Sequence, residues 1–177
     1  MKLILGGASS GKSRQAMDFA YEHKEVVYLA TGVATDEEME SRIARHKQER
    51  PENWETIEEP VNVGRVLEKL KVDSFSGAVV LDCLGFWLSN LLRETEDIET
   101  GEVEDFVEEQ VKRGLNPARR GEYELIIVSN EVGMGVIPGS AAGRRFRDAL
   151  GRANQVVGEI ADEVYLMVAG FKLELKK

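Results

Sequence analysis

A single cysteine, Cys83, stands among 177 residues, which excludes an intrachain disulfide and any cysteine-built zinc site. Net positive charge is missing as well. Acidic side chains number 32 against 23 basic ones, giving a formal charge of −9. An acidic surface of that size repels phosphate backbones, so nucleic acid is not expected as a partner; a small polyanion needs only local positive charge. No stretch approaches the roughly 20 consecutive apolar residues of a membrane span, and the N-terminus shows no signal-peptide pattern. The expectation is a cytoplasmic protein without membrane insertion. Histidine is scarce too, with only His23 and His46. What is present in quantity is apolar residue, 42% of the chain. That is enough for one substantial core and no second domain, so 1–177 reads as a single unit.

The apolar Leu3-Ile4-Leu5 runs into Gly6-Gly7-Ala8-Ser9-Ser10-Gly11-Lys12-Ser13, the G-x-x-x-x-G-K-[ST] spacing of a phosphate-binding P-loop. Gly6, Gly7 and Gly11 are expected to let the backbone curl, so that successive N–H groups converge on phosphate oxygens. A helix starting near Lys12 adds its N-terminal partial positive charge. Lys12 would neutralise β/γ-phosphate charge and the Ser13 hydroxyl would ligate Mg²⁺. An ordinary strand–turn–helix corner could use the same glycines. The apolar run before the loop, and Ala16, Phe19 and Ala20 at helical spacing after it, favour the phosphate site. The motif points to a nucleotide polyphosphate but names no reaction.

Further strands are expected at Val26–Ala30, Ala78–Asp82, Leu125–Ser129, Val164–Val168 and Phe171–Leu175. The first four are near-continuous apolar runs, as in parallel strands buried on both faces. Phe171-Lys-Leu-Glu-Leu alternates and follows across only Ala169-Gly170, which predicts an antiparallel edge hairpin. Helical patterns cover Lys12 to about Glu22, Asp36 to about Gln48, Val63–Leu70, Phe86–Leu92, Glu102–Arg113 and Ala141–Ile160. The alternation predicts an α/β domain with a mostly parallel sheet and helices on both faces. Arg93–Glu124 is the least regular stretch, acidic at Glu94, Glu96, Asp97 and Glu99, and reads as a solvated helix with flexible ends.

Three constellations could carry chemistry. Asp82 ends an apolar strand, where P-loop proteins keep the acid that orients Mg²⁺ or its waters. Arg42, His46 and Arg50 fall at i, i+4 and i+8, and Pro51 disfavours helix at Arg50. Cationic neighbours would favour a neutral, nucleophilic imidazole and would stabilise charge on an attacked phosphorus. By pattern alone, the plainer reading is a basic solvated face with a bystander histidine. His23 reads as a surface residue past the first helix. Asn130-Glu131-Val-Gly-Met-Gly135 follows a strand directly, at the end where open α/β sheets bind ligands. Asn130 and Glu131 could hold a polar substrate group there, or simply shape a turn. Cys83 reads as a small buried residue.

The segments Gly6–Arg14, Tyr28–Thr31, Asp36–Met39, Arg42-Ile43 with His46-Lys47, Arg50-Pro51 with Trp54, and Asn130–Gly135 share one resemblance. With Phe146–Asp148, Gly151 and the closing Val164–Gly170, they resemble the bifunctional adenosylcobinamide kinase/adenosylcobinamide-phosphate guanylyltransferase family, in order along nearly the whole chain. The resemblance implies a RecA-like P-loop fold assembled as a homotrimer. It implies phosphorylation of adenosylcobinamide by GTP or ATP, then transfer of GMP from GTP to that phosphate in assembly of the cobalamin nucleotide loop. The second step would pass through a covalent GMP–histidine, and the matching position is His46. The resemblance further implies that Ala30, Thr31, Gly32, Lys47, Gln48, Glu49, Arg50, Glu58 and Asp82 line the guanine nucleotide site with the P-loop, and that Lys12 takes part in catalysis. Gly85 stands where the family often has threonine, and Ala142-Gly143 where it has a bulkier pair. A P-loop small-molecule kinase without guanylyl transfer, or a nucleotide-dependent switch module, are the other readings of the same residues.

Overall fold

The computed structural model describes residues 1–93 and 102–177. Seven strands form one sheet: β1 (Lys2–Gly6), β2 (Val26–Ala30), β3 (Glu55–Glu58), β4 (Ala78–Asp82), β5 (Glu124–Asn130), β6 (Glu163–Val168) and β7 (Phe171–Lys176). Their order is β3-β2-β4-β5-β1-β6-β7, parallel throughout except for β7. The helices are α1 (Lys12–Ala20), α2 (Glu37–Gln48), α3 (Val63–Val72), α4 (Leu84–Arg93), α5 (Val103–Leu115) and α6 (Ala141–Ile160). The expected acidic residues Glu94, Glu96, Asp97 and Glu99 lie outside the described residues.

The twofold period of the strands divides the core. Leu3, Val27, Leu29, Val79, Leu81, Leu125 and Ile127 face one cluster, which is filled by α3, α4, α5 and α6 through side chains such as Leu67, Trp87, Val107 and Val157. Their neighbours Ile4, Val26, Tyr28, Val80, Ile126 and Val128 face the other, covered by Ala16 and Ala20 of α1 and by Trp54. Each central strand therefore buries both faces, which is why it reads as an unbroken apolar run.

One strand was not anticipated. Strand β3 escaped the sequence reading because Glu-Thr-Ile-Glu is short and polar. It is an edge strand paired only with β2, so neither face must be apolar. As Pro51 implied, Arg50 is off the helix: α2 stops at Gln48, Glu49 caps it, and Arg50 lies beyond. The hairpin expectation held. Ala169 (φ 51°) and Gly170 (φ 83°) both take left-handed geometry, as a two-residue connection between twisted strands requires.

Candidate active site at the C-terminal edge of the sheet

Parallel strands deliver their C-terminal ends to one edge, and the register brings specific residues abreast. Gly6 sits opposite Asn130, Ala30 opposite both Asp82 and Glu58, and Asp82 opposite Val128. The loop from β1 to α1 rises from that edge. Gly6 (φ 156°) and Gly11 (φ 97°) adopt geometry that a side chain resists, and Ser9 (φ 54°) joins them. Gly7 differs: its φ is not positive and a Cβ there would meet nothing within 4 Å. The turn is therefore built on two of the three expected glycines. Ser10 Oγ is buried without a hydrogen-bond partner, a state that costs about 1–3 kcal/mol unless a ligand atom satisfies it. Lys12 is buried at the start of α1, and its Nζ donates to the Gly7 carbonyl at 2.6 Å.

The hairpin supports this loop from below. Gly170 N–H donates to the Ser10 carbonyl at 3.1 Å, and Gly170 Cα would lie 3.5 Å from a Cβ at Gly11. Nothing local in the sequence signals that contact, because 159 residues separate Gly11 from Gly170.

Around Asp82 the side chains interlock. Ser13 Oγ donates to Asp82 Oδ2 at 3.1 Å, and the Tyr28 hydroxyl donates to the same oxygen. Burial pushes the Tyr28 phenol far above its ordinary range, and the Asp82 charge adds to that. The Arg50 guanidinium lies 3.8 Å over the centre of the Tyr28 ring. Thr31 is fully buried; its hydroxyl donates to the Cys83 carbonyl at 2.7 Å and accepts from Cys83 N–H at 2.9 Å, pinning the residue after Asp82. Burial, then the charge of Asp82, pushes the Cys83 thiol up to about 12. It is inert as a nucleophile at neutral pH, in keeping with a packing role.

These elements enclose a cleft of about 640 Å³. Of the residues expected at the nucleotide site, the cleft gathers Ala8, Ser9, Ser10, Gly11, Lys12, Ser13, Ala30, Gly32, His46, Glu49, Arg50 and Asp82. It does not bring Gly6, Gly7, Thr31, Lys47, Gln48 or Glu58 to its walls. Lys47 instead pairs with Glu58 at 3.3 Å on the exposed flank, joining α2 to β3. Arg14, Glu38, Ile43, Arg45, Phe86 and Asn130 also line it, so four cations converge there in a chain of net negative charge. His46 is one-third exposed, with Nδ1 3.6 Å from a Glu49 carboxylate oxygen. A carboxylate thus joins the cationic neighbours of His46, because i and i+3 share a helix flank. The Arg42 side chain lies outside the described residues.

The Asn130–Gly135 loop is shaped partly from within. Glu131 Oε1 accepts from the backbone N–H groups of Gly133 and Met134. Asn130 is tied through its carbonyl to Asn154, 3.1 Å away. His23 pairs with Glu124 at 3.1 Å, away from the cleft. At Gly85 a Cβ would find ordinary contacts of 3.7–3.8 Å with Leu150, Asn130 and Cys83, so no crowding compels a glycine there.

A glycine loop between the first strand and first helix, a lysine at that helix start, and a strand-end aspartate bound to the loop serine define a P-loop nucleotide-binding α/β protein. The same fold recurs in an ATPase from the type III secretion system of pathogenic bacteria, with TM-score 0.64 and 10% identity over 98% of this chain; the match spans 56% of that ATPase. Residues 2–175 match the family described as cobinamide kinase / cobinamide phosphate guanyltransferase, and the chain belongs to that family. The bifunctional adenosylcobalamin biosynthesis protein CobU of Escherichia coli K12 is 34% identical over 183 residues, covering 99% of both chains. The protein named CobP in Pseudomonas aeruginosa is 41% identical over 177 residues, covering 98% of this chain and 96% of its own.

Proposed function

We propose that residues 1–177 form one enzyme domain that phosphorylates adenosylcobinamide with GTP or ATP and then guanylylates the product, yielding adenosylcobinamide-GDP. The observation that carries this reading is the single cleft shared by the P-loop and His46. A plain kinase needs the first but has no use for the second.

In the kinase step, Lys12 and the loop amides hold the triphosphate, so charge that develops during transfer meets fixed donors. Mg²⁺ fits beside Ser13 and Asp82. Their donors are all oxygen and stand 3.1 Å apart, as a hard cation that also keeps phosphate and water ligands requires. Among the described residues no group of three or more His, Cys, Asp or Glu forms an all-protein metal cage. When bound, the ion screens phosphate charge.

In the transfer step, a His46 ring nitrogen donates its lone pair to the α-phosphorus of GTP. The bond from that phosphorus to the bridging oxygen breaks, and pyrophosphate leaves with the electron pair. The phosphate oxygen of adenosylcobinamide phosphate then displaces the histidine, so one difficult transfer becomes two displacements. Glu49 near Nδ1 favours Nε2 as the attacking nitrogen. Arg45 and Arg50 line the same cleft and offer positive charge to the departing pyrophosphate.

Assembly as a homotrimer and a cytoplasmic location belong to the same reading. Exposed Phe171, Leu173 and Leu175 on the edge strand β7 supply an uncovered apolar surface for self-association. Among the described residues no helix is long and apolar enough to cross a membrane.

The test is covalent labelling. Incubation with α-labelled GTP and Mg²⁺ is expected to leave an acid-labile, alkali-stable label on the protein. His46→Ala should abolish that label while phosphorylation of adenosylcobinamide continues. Absence of the label in active wild-type protein would leave only a kinase, and loss of both activities in a folded variant would overturn the separate roles.

A further inference from the structure

Tyr28 lies inside the core, two residues before the end of β2, and is 2% exposed. A fully buried hydroxyl in that position must find a partner, and a strand of this sheet offers few polar ones. Its partner is Asp82 Oδ2, the oxygen that also accepts from Ser13. A carboxylate can only accept, so both hydroxyls donate their protons to it. Two consequences follow from that direction. The lone pairs of Ser13 Oγ, no longer facing the carboxylate, are turned outward for a cation. Asp82 Oδ1 is left as the oxygen for a metal-bound water.

Ser13 and Tyr28 approach Asp82 from different elements. Ser13 sits at the first turn of α1, beside the loop. Tyr28 belongs to the rigid sheet, on the strand directly paired with β4, where Ala30 is abreast of Asp82. Its ring is also clamped on the outer side by Arg50, 3.8 Å away. Its hydroxyl bonds Asp82 and also meets the Arg50 side chain, so Tyr28 acts on the cleft through its neighbours.

We propose that Tyr28 is a positioning residue, whose hydroxyl orients Asp82 so that Asp82 and Ser13 present the correct oxygens to the nucleotide-bound divalent cation. The proposal rests on the reading above that places Mg²⁺ beside Ser13 and Asp82. Tyr28→Phe removes one oxygen and keeps the ring beneath Arg50, so the aromatic contact is common to both proteins.

The experiment titrates Mg²⁺ against binding of a fluorescent, non-hydrolysable GTP analogue. In Tyr28→Phe the Mg²⁺ concentration for half-maximal enhancement should rise about tenfold, the scale of one lost charge-assisted hydrogen bond. Analogue binding in EDTA should stay within about twofold of wild type, which a general structural fault would not permit. Asp82→Asn supplies the second arm. If Tyr28 acts through Asp82, the double variant should respond to Mg²⁺ no worse than Asp82→Asn alone. An unchanged Mg²⁺ midpoint in Tyr28→Phe, or equal losses with and without Mg²⁺, or additive losses in the double variant, would each overturn the proposal. If instead wild-type binding ignores Mg²⁺ altogether, the metal assignment of Ser13 and Asp82 fails first and takes this role with it.

Discussion

Replacing Gly6 with alanine puts a methyl group where the fold has no room. The new Cβ would stand 2.6 Å from the Met167 carbonyl oxygen and 2.6 Å from Ser10 Oγ, against ordinary contacts of 3.4–4 Å. The serine oxygen can rotate away. The carbonyl cannot, because Met167 is held opposite Gly6 in the β1–β6 ladder. The backbone adds to the conflict, since Gly6 has φ 156°. Strained backbone of that kind costs about 1–3 kcal/mol, and forcing a group into a filled space costs about 1–3 kcal/mol more. In a chain of this size each kcal/mol shifts the melting temperature by about 2–4 °C. Scanning calorimetry without nucleotide should therefore find Gly6→Ala melting about 5–20 °C below wild type. Gly7→Ala is the internal reference. Its Cβ meets nothing within 4 Å and its φ is not positive, so it should melt within about 2 °C of wild type, as surface substitutions do. A Gly6→Ala protein that melts with wild type, or a Gly7→Ala protein that falls as far, would refute the reasoning.

Lys12→Ala should weaken binding of a GTP analogue about 10–100-fold by isothermal titration, because a charge-assisted contact to phosphate is lost; unchanged affinity would reduce the loop to a structural corner. The second remaining prediction concerns acid. Glu163 accepts from Lys2 at 2.6 Å, and that hydrogen bond, then the one from Tyr165, holds its carboxyl below the ordinary value of 4.5. A depressed carboxyl contributes stability that is fully present above its unfolded value and is lost as pH falls through the folded one. The melting gap between wild type and Glu163→Gln should thus be constant from about pH 7 to 5 and narrow below about 4.5. A gap that persists unchanged to about pH 3, followed by fluorescence, would count against the pair as its cause.

Much of the architecture was readable because burial on both faces leaves a mark that single residues carry. Val26–Ala30, Ala78–Leu81 and Leu125–Val128 are apolar throughout because both their faces are covered, whereas Phe171–Leu175, exposed along its whole length, alternates. Strand β3 left no such mark, since an edge pairing asks only for backbone hydrogen bonds. The loop from Gly6 to Ser13 was legible for the opposite reason. Phosphate binding by consecutive amides confines all its chemistry to eight successive residues, so spacing alone exposes it. His46 was visible as an unusual residue, but its basic helix could equally have been a solvated face. Family membership settles where the chain belongs, while the cleft shows His46 and the loop sharing one space.

By itself the sequence determined most of the elements, the glycine loop and the net negative charge. These depend on periodicity, on local turn geometry and on summed charge, none of which needs a partner distant in the chain. Only the tertiary structure decided what meets what. It set Tyr28 and Ser13 on one oxygen of Asp82, laid Arg50 across Tyr28, placed Gly170 under Ser10, and buried Thr31 behind the cleft rather than in it. The physical reason is that these contacts join strands and loops brought abreast by the parallel register. A hydroxyl and a carboxylate 54 residues apart leave no local pattern that could announce their hydrogen bond.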